Sequence, residues 1–197
     1  MLLLPIVAAS ALSVALNDMN TATRLQRAYS NQRDQGSVLF ETWIAPSGQV
    51  IECEVLEAKG SAELGSTFCA IYREQRITPA KDTEGNRAYS FMRSVMVLSN
   101  RRRDGMDIPA DVTLTVDALP GRDSEYRLYA NLLVDEQGAV QTCEVKRKAA
   151  AIYTELLCAE ATAHPMAVRY DASGQAVRYV TGFWASFKKD ASKATIG

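Results

Sequence analysis

The chain has 197 residues, of which 47% are hydrophobic and 23% are charged, and 22 basic against 23 acidic side chains leave a net charge of −1. This balance gives no reason to expect nucleic acid or an acidic membrane surface as a partner. The single histidine, His164, argues against a Ser-His-Asp or Cys-His catalytic centre and excludes a multi-histidine metal centre. Neither Gly-x-Ser-x-Gly nor His-Glu-x-x-His occurs, so we expect a protein without enzymatic activity, metal or cofactor.

The amino-terminal segment Met1–Leu16 carries no charged side chain, and polar residues follow from Asn17 onward. An apolar run of this length is too short to span a bilayer but is typical of the hydrophobic region of a secretory signal. Ser13 and Ala15 place small residues at the two positions that a signal peptidase reads. We therefore predict a cleaved signal peptide at 1–15 and an N-terminal segment at 16–35, with no stable membrane anchor. A buried amino-terminal helix of a cytosolic protein is the alternative.

The four cysteines are Cys53, Cys69, Cys143 and Cys158. No two of them form a C-x-x-C pair, so neither a thioredoxin-type redox motif nor a zinc knuckle is indicated. In an exported chain, an even number of cysteines favours two structural disulfides. Free buried thiols and a zinc ion bound by all four cysteines are the alternatives.

The chain contains an internal duplication. Gly48–Val55 (GQVIECEV) is repeated 90 residues later as Gly138–Val145 (GAVQTCEV). The second cysteine of each pair recurs with an offset of 89 residues, as does a glycine turn at Asp82–Gly85 and Asp171–Gly174. Three landmarks in the same order indicate two homologous modules.

The first copy predicts two strands, a helix and a third strand, in that order. A β-rich run at Val38–Ile44 and a turn ending at Gly48 precede an alternating segment, which has the period of a strand with one buried face. The alternating apolar residues are Ile51, Cys53 and Val55. Ser61–Gln75 then changes to helical spacing, with an apolar stripe formed by Leu64, Phe68, Ile71 and Tyr72.

The second copy predicts the same elements. Its first strand is at Arg127–Val134, and its second strand places Cys143 and Val145 on one face. A helix lies within Ala149–Ala163, with an apolar stripe formed by Ile152, Tyr153, Leu156 and Leu157. The third strand follows the glycine turn and contains Val177, Tyr179, Phe183 and Phe187.

The predicted fold class is α+β, with two tandem β-β-α-β modules, each a helix packed on a small antiparallel sheet. Module 1 is predicted at 36–98, a linker at 99–125, module 2 at 126–187 and a polar tail at 188–197. Each module has one cysteine on the inward face of its second strand and one beside the apolar stripe of its helix. We therefore predict that Cys53–Cys69 and Cys143–Cys158 are disulfides that tie each helix to its sheet.

A set of short motifs occurs in order through the first copy: Gly48-Gln49-Val50, Cys53, Gly60-Ser61, Leu64, Cys69, Arg76-Ile77-Thr78-Pro79-Ala80, Asp82 and Gly85. This set resembles the C-terminal domain of TonB, in particular its cysteine-containing variants in Gram-negative bacteria. Helices of that family end in Arg-Phe-x-Pro-Ala, where this chain has Ile77 in place of the phenylalanine. The resemblance covers 36–98 well and 126–187 more weakly, because the second copy lacks this last motif.

The resemblance implies a periplasmic protein-binding module, in which an outer-membrane transport receptor adds a short N-terminal segment as a strand to an exposed sheet edge. The candidate edge is the third strand of each module: Tyr89, Phe91, Arg93, Val95 and Val97 in the first copy, and Tyr179 and Phe183 in the second. The resemblance also leaves open a homodimer that exchanges edge strands.

The chain has only six prolines and no proline-rich stretch, such as an energy transducer needs to cross the periplasm. We therefore expect a free periplasmic adaptor for outer-membrane receptors. The alternative is a structural or envelope-stress periplasmic protein without a role in transport.

Overall fold

The computed structural model of the chain describes residues 12–13, 36–60, 62–97, 106–120, 123–145, 149 and 151–190. Most of the predicted signal peptide, the segment at 16–35 and the end of the tail lie outside the described residues. The elements in chain order are β1 (Ser37–Ile44), β2 (Val50–Lys59), α1 (Ala62–Arg73), β3 (Ala80–Lys81), β4 (Arg87–Val97), β5 (Val112–Val116), β6 (Glu125–Val134), β7 (Val140–Val145), α2 (Ala151–Ala163) and β8 (Tyr179–Lys189).

All of these strands belong to one mixed sheet in the order β2-β1-β4-β8-β6-β7, with β3 added to β4 and β5 added to β8. The prediction of two tandem modules, each with its own small antiparallel sheet, is therefore wrong. The reason is that β4 and β8 pair with each other in parallel, Tyr89–Phe91 against Tyr179–Thr181. Main-chain N–H and C=O groups at the edge of one half form hydrogen bonds with those of the other half. The two halves therefore form one continuous sheet.

The two helices cover opposite faces of this sheet. On one face, α1 packs Leu64, Phe68 and Tyr72 against Phe40 and Ile44 of β1. On the other face, α2 packs against β6 and β8, and the same cluster includes Trp43 of β1. Because side chains alternate along a strand, Trp43 points away from its neighbour Ile44 and towards the side covered by α2. Strand β1 is consequently buried on both faces.

Two turn glycines hold the segments that follow the helices. Gly48 and Gly138 both have positive φ, +81° and +84°. The carbonyl of Gly48 accepts a hydrogen bond from Ile77 N at 2.9 Å, and that of Gly138 accepts one from Met166 N at 3.0 Å. These equivalent bonds fix where the backbone of each half returns from its helix to the centre of the sheet.

Both predicted disulfides are confirmed, Cys53–Cys69 and Cys143–Cys158, with Cα–Cα distances of 5.5 and 5.7 Å. No free cysteine remains, which excludes the zinc and free-thiol alternatives. Each bridge ties the second strand of a half to its helix and closes a loop of 16 or 15 residues. Closing loops of this length with a disulfide stabilises a fold by about 3 kcal/mol, mainly by restricting the unfolded chain.

Two such bridges indicate an oxidising compartment. None of the described helices is long and apolar enough to cross a membrane.

Two local predictions change because of bulges and helix orientation. Ile51 and Leu56 have no partner in the β1–β2 register, so they bulge outward, and Val50 takes the buried position expected for Ile51. In α2 the buried stripe is Tyr153, Leu157 and Ala161. Ile152 and Leu156, predicted in that stripe, are 60% and 39% exposed.

The turn glycines allow a matched test. A Cβ at Gly48 or Gly138 would lie 2.2 or 2.3 Å from the carbonyl oxygen of Ile77 or Met166. At Gly174, whose φ is +81°, no atom of the described residues lies within 4 Å of an added Cβ. We expect Gly138→Ala and Gly48→Ala to lower the free energy of unfolding by about 2–4 kcal/mol. Gly174→Ala should cost only the left-handed conformation, about 1–2 kcal/mol. Urea unfolding curves measure this, and equal losses at the three positions would contradict the role given to these contacts.

Acid should weaken the fold through two turn carboxylates. The pKa of Asp135 is lowered mainly by the main-chain N–H of Ala139, and that of Asp171 mainly by the Ser173 hydroxyl. A carboxyl whose pKa is lower in the folded chain stabilises it above the ordinary pKa, and this contribution is lost as the pH falls through and below about 4. Asp171→Asn should therefore reduce the difference in urea midpoint between pH 6 and pH 3. The matched change at exposed Asp123, outside these turns, should leave that difference as it is.

Candidate functional site at the fork between β4 and β8

The parallel pairing of β4 with β8 ends at Phe91 and Thr181. Beyond it, the edge of β8 is taken by Asp111 and then by β5. Asp111 N donates to Trp184 O, and Trp184 N donates to Asp111 Oδ2, both at 2.8 Å. Strand β4 continues from Met92 to Val97, where β1 is its only strand partner in the described part of the chain. We call this divergence, Met92–Val97 on one side and Asp111 with β5 on the other, the fork.

A cavity of about 280 Å³ lies at the base of the fork. Its walls combine aromatic rings, charged groups and the segment that follows α2. The residues lining it are Phe91, Met92, Arg93, Asp111, Tyr129, His164, Pro165, Met166, Ala167, Arg169, Tyr179, Thr181, Gly182, Phe183 and Trp184. The cavity therefore joins residues from both halves of the duplication.

Arg93 links the two sides of the fork. Its Nε donates to Glu41 Oε1 at 2.8 Å, and its Nη1 donates to Asp111 Oδ1 at 3.0 Å. All three side chains are partly exposed, which limits the strength of each pair. The network nevertheless fixes Asp111, and with it the start of β5, at a defined distance from β4.

Arg169 covers the aromatic side of the cavity. Its guanidinium carbon lies 4.0 Å from the centre of the Phe91 ring and 6.0 Å from that of Trp43. Trp43 in turn stacks on Tyr89, with ring centres 5.2 Å apart. The Gly138–Met166 bond and a 2.7 Å hydrogen bond from the Tyr179 hydroxyl to Ala167 O hold the segment that carries Arg169. The Nε of Arg169 is buried and has no hydrogen-bond partner among the described residues, so this cation retains unused donor capacity there.

Tyr129 enters the cavity beside a glycine that leaves room for it. A Cβ on Gly182 would lie 2.4 Å from the Tyr129 ring, and the ring packs at 4.8 Å from Trp184. Burial raises the pKa of Tyr129, and the Asp111 carboxylate raises it further. The phenol therefore stays protonated and can donate a hydrogen bond across the physiological range. Burial likewise raises the pKa of Tyr179, against a smaller opposite effect of Arg169.

His164 lines the same cavity, so its surroundings bear on catalysis. Its Nδ1 lies 3.0 Å from the carbonyl oxygen of Glu160, one turn earlier in α2. Among the described residues that line the cavity there is neither serine nor cysteine, and the Thr181 hydroxyl donates a hydrogen bond to the carbonyl oxygen of Gly182 at 3.5 Å. Within the described ranges, no three metal-binding side chains come together. The arrangement suits binding through hydrogen bonds, charge and aromatic contact.

The structure brings together four of the seven residues predicted for the binding edge, because Phe91, Arg93, Tyr179 and Phe183 line the cavity. Tyr89 lies next to them on Trp43, while Val95 and Val97 lie further along β4. The main chain of Tyr89, Phe91 and Tyr179 is engaged in the β4–β8 ladder. Phe183 lies in a strand flanked by β6 on one side and by Asp111 with β5 on the other.

The sequence did not indicate Asp111, Tyr129, Arg169 or Trp184 as site residues. Asp111 lies in the predicted linker and Arg169 in a stretch where the second copy had lost its motif. No local pattern marks any of them, because they meet only through the pairing of the two halves.

Comparison with known proteins finds no match to this chain among protein families, characterised proteins or solved structures.

The charged network at the fork can be tested by removing its central cation. We expect Arg93→Gln to lower the free energy of unfolding by about 1 kcal/mol, since Glu41 and Asp111 lose their partner at partly exposed positions. The same change at exposed Arg87, at the start of β4, should stay within about 0.5 kcal/mol. Urea unfolding at low and high salt measures both, and salt should reduce only the Arg93 effect. Equal losses would show that Arg93 does not bridge the fork in solution.

Proposed function

We propose that this protein is a protein-binding module of an oxidising compartment, which takes an extended segment of a partner as an additional strand at the fork. The observation that carries the proposal is Met92–Val97, a stretch of β4 with a strand on one side only in the described structure. Such an edge offers main-chain N–H and C=O groups that an added strand can satisfy. The periplasmic location and an outer-membrane receptor as partner stay predictions from the resemblance to TonB.

The outer edges of the sheet are less suited to this role. Strand β2 is interrupted by bulges at Ile51 and Leu56, and β7 by one at Gln141. Bulges of this kind are a common way to blunt an edge against further pairing. Strand β4, in contrast, pairs with β1 in unbroken register from Ser90 to Val97. Its free side in the fork is therefore the most regular template for another strand.

Side chains on β4 give this edge an apolar contact. Val95 and Val97 share one face of the strand with Arg93, and Val97 is 46% exposed. A partner strand beside them buries their exposed surface, which contributes about 25 cal/mol per Å². Main-chain bonds then supply affinity, and these valines select apolar side chains at alternate positions of the partner.

The base of the fork limits how far an added strand extends. Because β8 already pairs with β4 up to Phe91, the partner segment must end or leave the sheet near Met92. The cavity lies at this point, and Arg169 and the protonated Tyr129 line it as hydrogen-bond donors. A carboxylate on the partner, either a side chain or the chain end, has the charge that this end of the fork favours.

Peptides can test the proposal without altering the protein. A pool of randomised ten-residue peptides is passed over the immobilised full chain, and the best-retained peptide is titrated into isotope-labelled protein. We expect amide shifts concentrated at Met92–Val97. Methylating alternate main-chain nitrogens of that peptide should abolish binding in one register and leave it intact in the other, because successive N–H groups of a strand point to opposite sides. A peptide pool that is not retained, or equal effects of the two methylation registers, would refute strand addition.

A further inference from the structure

A second strand-addition position is already filled by the chain itself. Ser13 pairs with Lys81 of β3 through two main-chain hydrogen bonds, Ser13 N to Lys81 O at 3.0 Å and Lys81 N to Ser13 O at 2.9 Å. The neighbouring residue, Leu12, is completely buried. Its side chain packs with Ala80, Leu133 and Val180, and with partly buried Ala88. We call this pocket, lined by those four residues, the leucine slot.

The leucine slot is built to hold an extended segment. Its walls come from four separate strands, β3, β4, β6 and β8, so both halves of the duplication contribute to it. The Asn131 amide, 2% exposed, donates to the carbonyl of Leu12 at 3.4 Å. The Oδ1 atom of the same amide is buried and has no hydrogen-bond partner in the described part of the chain. The slot thus recognises two consecutive residues of an extended chain in three ways. It offers an apolar pocket for one side chain, the main chain of Lys81 for a pair of hydrogen bonds, and the Asn131 amide for a carbonyl.

The occupant comes from the segment that the sequence predicts to be removed. Leu12 and Ser13 lie within the predicted signal peptide, upstream of the cleavage predicted after Ala15. Cleavage there would take both residues out of the fold. The slot would then present an apolar pocket together with unpaired main-chain groups of Lys81.

We infer that the leucine slot is a second peptide-binding site, which accepts an extended partner segment carrying a leucine-sized aliphatic side chain, and that Leu12–Ser13 fill it until the leader is removed. The partner segment belongs to another protein and is aliphatic, because Leu12 and Ser13 show the chemistry that the slot takes. The inference does not rest on the fork. The slot uses the main chain of β3 at Lys81, whereas the fork uses β4 from Met92 to Val97.

The test empties the slot in the full chain and offers the missing residues in trans. The variant Leu12→Gly is oxidatively refolded with its leader in place, and a labelled peptide with the sequence of residues 8–16, extended by two lysines for solubility, is added. We expect the variant to bind this peptide at least tenfold more tightly than the wild-type chain, with amide shifts at Ala80 and Lys81. A peptide with aspartate at the position of Leu12 and with Leu16 kept should not bind, because the aspartate charge would be buried in an apolar pocket.

Two further variants keep the result interpretable. Leu12→Ala is the milder change in case Leu12→Gly does not refold, and Leu133→Phe combined with Leu12→Gly should fill the slot and abolish binding. Equal, weak binding to the wild-type and emptied chains would overturn the inference.

Mass spectrometry of protein exported to the periplasm of a Gram-negative host is the second arm. Loss of residues 1–15 supports an open slot, and an intact leader overturns it. Shifts at Met92–Val97 with this peptide would assign it to the fork and also overturn the inference.

Discussion

Three residue pairs at the centre of the sheet, Tyr89–Phe91 against Tyr179–Thr181, determine how the two halves of this chain are arranged. Strands β4 and β8 pair in parallel, and each uses the edge opposite its own hairpin, so the strand order is mirrored about this pair. The two halves are therefore related by a rotation about the strand direction, which turns one half over relative to the other. This is why the two helices cover opposite faces. Each half then receives part of its cover from the other, as Arg169 on Phe91 and Ala80 beside Leu133 show. The fork and the leucine slot are both consequences of this exchange.

Local features of the sequence were sufficient for the parts of the fold that depend on short-range physics. Glycine turns, helix positions and both disulfides follow from spacing and alternation within about 20 residues. The pairing of β4 with β8 joins residues 90 positions apart, and no periodicity reports such a contact. One signal did exist. Strand β1 reads Ser-Val-Leu-Phe-Glu-Thr-Trp-Ile, and a run this apolar on both faces is typical of a strand covered on both sides.

The candidate site could be predicted only in part for the same reason. Phe91, Arg93, Tyr179 and Phe183 were identifiable because they lie on the third strands, which the resemblance to TonB singled out. Their main-chain edge was expected to be open. Phe91 and Tyr179 are instead engaged in joining the halves, and Phe183 lies between β6 and the segment of Asp111 and β5. Of the four, only Arg93 lies in the stretch Met92–Val97, which has a strand on one side only in the described structure. Asp111, Tyr129 and Arg169 reach the cavity from three separate segments. No local sequence pattern contains them together, so none could have indicated the site.

The position of β8 has a consequence for how the polypeptide reaches this state. β8 is the last described strand along the chain, yet it occupies the middle of the sheet between β4 and β6. Synthesis delivers the amino-terminal half first, so the β4 ladder stays unfinished until residues 179–189 have been made. Closing the sheet is thus the final folding event and has a high contact order, which makes it slow. During that interval the growing chain is most vulnerable to aggregation and has the greatest need of a chaperone.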